Sequence, residues 1–568
     1  MKFLWLKLVV FSLAWALILP PAWAKTILYV PLDDRPVSLD YAADTVKAVD
    51  WTILTPPVDY LGGRNRNGNP ERLWEWVQAN AASADALVLS NDALLYGSLV
   101  DSRIHSFSRL ELGWRLQNYN TLRKAYPDMP IYVFSTLMRS PQTDSAVVEP
   151  LYYEHYGREI FQLTALRDKG EIQALTPVER TTMATLEAAI PTEYLADWLE
   201  RREKNFQLNT RLVDLARNGL FDYLIIGRDD TAPFSQSHRE ARWLTKFTRG
   251  LADNQYLAFP GADQLGILLL ARAYNELTGQ KPAVAVHYTL GKGGATTAGY
   301  EDQPIDQTIR DHILAAGGRP ADKSAAPDLI LAVNTPLNGK TAEAEVFENF
   351  AMDNLYTRQF AADIGEWLNQ GIPVAVADIA FDNGSDNSLL NAFHQQHLLD
   401  RLSAYSGWNT ASNTMGYSVA QGMLARGMNA KTRQLLLAIR YLDDWAYQAN
   451  IRKDLYRNRI VPNYANPEYI AYLEPELLPE LNERLQKFTR QYLWLDPVAV
   501  QAVFPWHRMF EITVEIKPPV GTIPTKESRF QLPAECASHE TPDFHRMENR
   551  SITHDFQNLY CDNLETAG

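Results

Sequence analysis

The sequence predicts an α/β protein built on mostly parallel sheets with crossover helices. Short, β-branched apolar runs alternate with helical stretches from residue 26 to about 380, and strands spaced by helices imply parallel pairing. Several runs end in polar groups: Leu32-Asp33-Asp34-Arg35, Ser90-Asn91-Asp92, Arg228-Asp229-Asp230 and Ala377-Asp378. Strands buried on both faces hold no unpaired charge, so these groups belong at strand ends, where parallel α/β folds gather their sites. The alternation suits either a barrel-like (β/α) core or two doubly wound sheets in series.

Residues 1–24 read as an export signal. Lys2 and Lys7 supply the positive start, Leu8 to Leu19 the apolar run, and Ala22-Trp23-Ala24 the cleavage motif. The run is shorter than the roughly 20 apolar residues of a spanning helix. Cleavage is therefore expected, with no stable membrane insertion of the mature chain and a periplasmic or secreted location. No Cys follows the motif, which argues against a lipoprotein.

Nine strands are expected, at Thr26 to Pro31, Thr52 to Leu54, Ala86 to Ser90, Ile131 to Ser135, Tyr223 to Gly227, Tyr256 to Phe259, Ala283 to Tyr288, Leu329 to Asn334 and Pro373 to Asp378. The interval from about 145 to 220 is charged and helical. Its Thr176-Pro177-Val178-Glu179 combines a cap, a first-turn proline and a capping-box Glu. It reads as a helical insertion over a sheet edge or over the site. A second helical stretch, about 388 to 500, precedes Phe510 to Ile516, which alternates as a half-exposed strand does. The Gly317-Gly318-Arg319-Pro320 segment is the preferred boundary. It divides the mature chain into an α/β domain at 25–320, an α/β and helical region at 321–505, and a C-terminal strand and tail at 506–568.

A formal charge of −14 without a long like-charge block argues against nucleic acid or an anionic membrane as partner. A small-molecule or glycan ligand is the expected one. Cys536 and Cys561, the only two cysteines, are read as a disulfide in an oxidising compartment, with a zinc site including the intervening histidines as the alternative.

Asp33 and Asp34 form a doublet at the first strand tip. Adjacent side chains on extended backbone diverge, so at most one faces a cleft and a second carboxylate must come from another strand. Asp229 and Asp230 are the preferred partners. Ser237 and Glu240 beyond them resemble a capping box, and Asp263 reads as the N-cap of a helix over 264–277. Arg35, Asn91 and Asp92 would orient substrate. Trp408 and Asn409 place an aromatic face beside amides, a mix that suits a sugar. Asp378, Asp382 and Asp386, spaced by four around a Gly, are the metal candidates, and a divalent cation is the cofactor such hard ligands would take. No nucleophile elbow, zinc-protease helix or dinucleotide fingerprint occurs.

Val30-Pro31-Leu32-Asp33-Asp34-Arg35-Pro36-Val37, Pro260-Gly261-Ala262-Asp263, Asp378-Ile379-Ala380 with Asn383-Gly384-Ser385-Asp386, and Gly407 to Thr414 occur in this order. Together they resemble a bacterial family known as domain of unknown function 4127. The resemblance brings no activity; it implies that residues 26 to about 515 act as one unit.

The expected function is an exported hydrolase acting on a carbohydrate or glycan, with Asp229 or Asp230 and Asp33 or Asp34 as the acid and base. The alternatives are a metal-dependent hydrolase of an ester, amide or phosphate using Asp33, Asp92, Asp230 and Asp378, and a non-catalytic periplasmic ligand-binding protein.

Overall fold

The computed structural model describes residues 24–322, 326–352 and 354–517. The expected signal, apart from Ala24, and the tail cysteines Cys536 and Cys561 lie outside the described residues.

All nine expected strands form, with ends within two residues of the expected ones. β1 (Thr26–Val30), β2 (Thr52–Leu54), β3 (Ala86–Ser90), β4 (Ile131–Leu137), β5 (Tyr223–Arg228) and β6 (Tyr256–Pro260) make one sheet in the order β2-β1-β3-β4-β5-β6. Every pairing is parallel. β3, β4 and β5 are buried along their whole length, as continuous apolar runs require.

β7 (Ala283–Tyr288), β8 (Arg319–Pro320), β9 (Leu329–Asn334), β11 (Val374–Asp378) and β13 (Ala404–Ser406) make a second parallel sheet, ordered β13-β11-β9-β7-β8. Two small ladders complete the set. β10 (Ala342–Glu343) pairs with β12 (Phe381–Asp382), and β14 (Val500–Val503) pairs antiparallel with β15 (Thr513–Ile516), inside the expected C-terminal strand.

The barrel expectation is overturned, because each sheet is open, with edges at β2 and β6 and at β13 and β8. The reason is a shared helical layer. Helix Leu265–Leu277 leaves β6 and is buried through its first eleven residues, while helix Ala411–Leu424 is buried at every position. The inner faces of both sheets and these two helices form one core that includes Tyr29, Phe134, Leu268, Met415, Leu331 and Ala377. Small residues permit the approach: a Cβ on Gly416 would meet Gln264, and one on Gly422 would meet Ala375. Each sheet therefore already has its apolar faces covered, and closure would expel the helices.

Helices Pro70–Asn80, Arg109–Ala125 and Thr192–Arg217 cover the outer face of the first sheet. The helical insertion is present as Tyr153–Ile172, Pro177–Ala189 and Thr192–Arg217, and the Thr176–Glu179 capping box forms in both directions. The Ser237–Glu240 box does not. Ser235 caps that helix instead, and Glu240 is drawn to Arg202 at 2.8 Å. Among the described residues no helix is long and apolar enough to cross a membrane.

Candidate functional site

A cleft of about 660 Å³ opens at the C-terminal ends of the first sheet's strands. Arg35 enters it after β1, Arg139 after β4, Asp229 and Asp230 after β5, and Asp263 after β6. Asn383, Asn409 and Asn413 close it from the second sheet's side, and Trp506, Arg508 and Phe510 from the C-terminal segment. Parallel strands all deliver their tips to one edge, which explains why residues so far apart in sequence meet here.

Both carboxylates of the Asp229-Asp230 doublet line this cleft. On extended backbone they would diverge, but Asp230 has φ of 33° and the alternation ends there. Asp229 N still continues the ladder to Leu137 O, so the turn falls between the last ladder residue and the next. Strain of this kind is concentrated at the cleft. Of the eight non-glycine residues with positive φ among the described residues, Asp230, Tyr300, Asn383 and Asn409 line it. Each such residue costs on the order of 1–3 kcal/mol and persists only where its surroundings hold it.

The two carboxylates have different surroundings. Asp229 accepts a 2.6 Å bond from Arg103 Nη2. Asp230 takes a 3.1 Å contact from Arg139 Nη1, and burial, reinforced by the neighbouring Asp229 charge, raises its pKa above the usual carboxylate range. Asp263 is not an N-cap. Its carboxylate accepts from Arg35 Nη2 at 2.6 Å, while Gln264 occupies the cap position without a side-chain cap bond. Burial raises Asp263 to about 6 against the opposing pull of Arg35.

The first-strand doublet diverges as expected and supplies neither lining carboxylate. Asp33 is fully buried, with its oxygens on Arg35 Nε at 2.9 Å and on the Arg35 backbone. Asp34 turns to Trp506 Nε1 at 2.8 Å and Arg66 Nη2 at 2.9 Å. Asn91 and Asp92 lie beneath the floor. Asp92 accepts from the Thr136 amide and hydroxyl at 2.9 and 3.0 Å, and Asn91 donates to Ser135 Oγ at 3.1 Å.

Trp408 is buried in the shared core and packs edge-on against Phe510 at 6.3 Å, whereas its neighbour Asn409 reaches the cleft. Asp378 accepts from Asn334 Nδ2, the Asp386 amide and Tyr405 Oη within 2.9 Å. Asp386 caps the helix over Asn387–Gln395, and Asp382 accepts from Thr341 Oγ1 at 2.5 Å. Among the described residues no cluster of three or more His, Cys, Asp or Glu is arranged to hold a metal ion.

Sequence reasoning left out Arg103, Arg139, Trp506, Arg508 and Phe510. Arg139 was within reach of the strand-tip rule, because it stands two residues past β4. Trp506 and Arg508 carry no local signal: they arrive from the far end of the chain, where Arg508 lies over Trp506 at 4.6 Å and Arg35 faces the same ring at 5.5 Å.

The profile of a family described as a protein of unknown function (DUF4127) matches residues 27–515. Among curated proteins nothing matches the chain.

Proposed function

The chain belongs to that family, whose description assigns no activity, and we propose from the site itself that it is an exported hydrolase cleaving a glycosidic bond in the cleft at Asp229 and Asp230. The observation that carries this reading is the unequal environment of two carboxyls facing one cavity. Asp230, whose pKa is raised by burial and by the neighbouring Asp229 charge, acts as the general acid on the leaving oxygen. Asp229, clamped by Arg103, receives the proton of the attacking water. The C–O bond breaks, the departing sugar takes the proton of Asp230, and the water oxygen joins the anomeric carbon.

The rest of the lining suits a saccharide. Trp506 and Phe510 offer apolar ring surface, while Asn383, Asn409 and Asn413 offer neutral donors and acceptors for hydroxyls. The signal-like segment at 1–24 supports a substrate among glycans of the cell envelope or the surroundings.

The test is release of reducing ends from a panel of envelope and plant oligosaccharides by the parent protein and by Asp230→Asn. The variant should lose at least about a hundredfold in rate, the scale of general acid catalysis, while still binding the cleaved oligosaccharide. Equal rates in the two proteins, or no release by the parent from any member of the panel, would refute the reading.

A further inference from the structure

Behind the doublet lies a third acid. Glu149 belongs to the loop between β4 and helix Tyr153–Ile172, and its side chain is 1% exposed. Its Oε1 accepts from Arg139 Nε at 2.6 Å and stands 3.8 Å from Arg103 Nη1. Its Oε2 is buried without a hydrogen-bond partner. The other ends of the same two guanidiniums hold Asp230 and Asp229. Five side chains thus close a ring, Asp229–Arg103–Glu149–Arg139–Asp230, joined at the doublet by a peptide bond.

From this ring we infer that Glu149 is a positioning residue, which holds Arg103 and Arg139 against the two cleft carboxyls and absorbs part of their charge. Two guanidiniums held by the doublet alone would leave an excess positive charge in a poorly hydrated place whenever Asp230 carries its proton. That excess would draw the proton off Asp230. Glu149 cancels it from the side away from the cleft.

The charges around Asp230 come from each packed element: Asp229 on its own strand end, Arg103 from helix Leu99–Ile104, Arg139 after β4, and the Tyr300 hydroxyl across the cleft. Around Glu149, besides the two arginines, are Tyr153 and Arg202, the latter neutralised by Glu240 at 2.8 Å. Among the described residues no cation other than the two ring guanidiniums lies within 4.0 Å of the Glu149 carboxylate, Arg139 as a hydrogen-bond donor and Arg103 as an ion pair at 3.8 Å. Removing its charge should therefore act on Asp230 through them.

The inference rests on the reading of Asp229 and Asp230 as the reacting pair, but its test needs no substrate. The whole protein is labelled with 13C at the Asp carboxyl carbons, and the infrared carbonyl band of protonated Asp is titrated. Asp230→Asn identifies which band belongs to Asp230. In Glu149→Gln the midpoint of that band should fall by about one pH unit or more, the size of a partly buried charge pair. Glu149→Asp, which keeps the charge but withdraws it by one methylene, should give a smaller fall.

An unchanged midpoint in a folded Glu149→Gln protein would overturn the inference. Were that variant not to fold, an unchanged midpoint in Glu149→Asp would overturn it equally. A shifted midpoint in a protein that cleaves no glycan would leave Glu149 in its role and remove only the substrate assignment.

Discussion

The indole of Trp506 donates to Asp34 Oδ1 at 2.8 Å, across 472 positions of sequence. This bond fixes the C-terminal segment to the tip of the first strand, and Trp506 then stands between Arg35 and Arg508 as a wall of the cleft. Burial raises Asp34 to about 6, and the Trp506 bond is the largest effect opposing that rise. Trp506→Phe keeps the ring but removes the donor. It should destabilise the protein by about 1–2 kcal/mol, and the midpoint of Asp34 should move further up. Urea unfolding measures the first and carboxyl infrared titration the second; an unaltered Asp34 midpoint would show that the bond has no electrostatic weight.

Asp230 should set the alkaline limit of activity. A general acid works only while protonated, and burial with the Asp229 charge raises this carboxyl above the usual range. The rate should therefore hold through mildly acidic pH and fall as the pH rises through the elevated midpoint. Arg139→Met removes the cation that touches Asp230 at 3.1 Å and should move this limb to higher pH. A limb that stays fixed, or moves down, would mean that another group carries the proton.

The strands were legible because parallel, doubly buried strands are written as unbroken apolar runs, and their tips as charge. β8, β10 and β12, with two residues each, are too short to carry a period. Arg35, Asp229 and Asp230 stood out as charge at the end of an apolar run, and each follows a strand; Asn409 was singled out as an amide beside Trp408, and its place after β13 carried no signal. The rule that adjacent side chains diverge describes Asp33 and Asp34 and fails for Asp229 and Asp230, because nothing in the sequence announces a φ of 33° at Asp230. Asp263 looked like a cap because an acid precedes a helix; Arg35, 228 positions away, claims it instead. Aromatic character misplaced Trp408, whose ring joins the core, while Trp506 meets the cleft.

Stability should fall as pH rises above neutral. Burial raises Asp92 to about 7, Asp382 to about 7 and Glu301 to about 8. Between their ordinary values near 4 and these midpoints, the folded protein keeps protons that the unfolded chain has lost. The stabilisation is complete below about 4 and disappears as pH rises through 7 to 8. Burial lowers His105 to about 4 and His312 to about 3, which acts oppositely, but only below the ordinary histidine value of 6.5. Above that value the carboxyls act alone, each at up to about 1.4 kcal/mol per pH unit. The thermal midpoint should drop by several degrees from pH 6.5 to 8.5, and a rise over that interval in a calorimetric scan would contradict the assignment.

A backbone contact beneath the cleft supplies the last expectation. Gly227 in β5 leaves no room for a side chain: a Cβ there would lie 2.3 Å from Gly261 O and 2.6 Å from Leu265 Cδ1. Gly261 N in turn donates to Arg228 O at 2.8 Å, and Gly261 has φ of 103°, so the turn that carries Asp263 is drawn tightly against β5. Gly227→Ala must push that turn outward, and with it the carboxylate that Arg35 holds. It should destabilise by about 1–3 kcal/mol, as overpacked cores do, and weaken saccharide binding. Gly365→Ala is the control, because its Cβ would meet only Leu398 at 3.6 Å inside a helix, where Ala should stabilise by up to about 1 kcal/mol. Urea unfolding with isothermal titration of a bound oligosaccharide separates the two effects. Were Gly227→Ala to unfold at the same urea concentration as the parent, the close approach of β5 to the Asp263 turn would have no energetic weight.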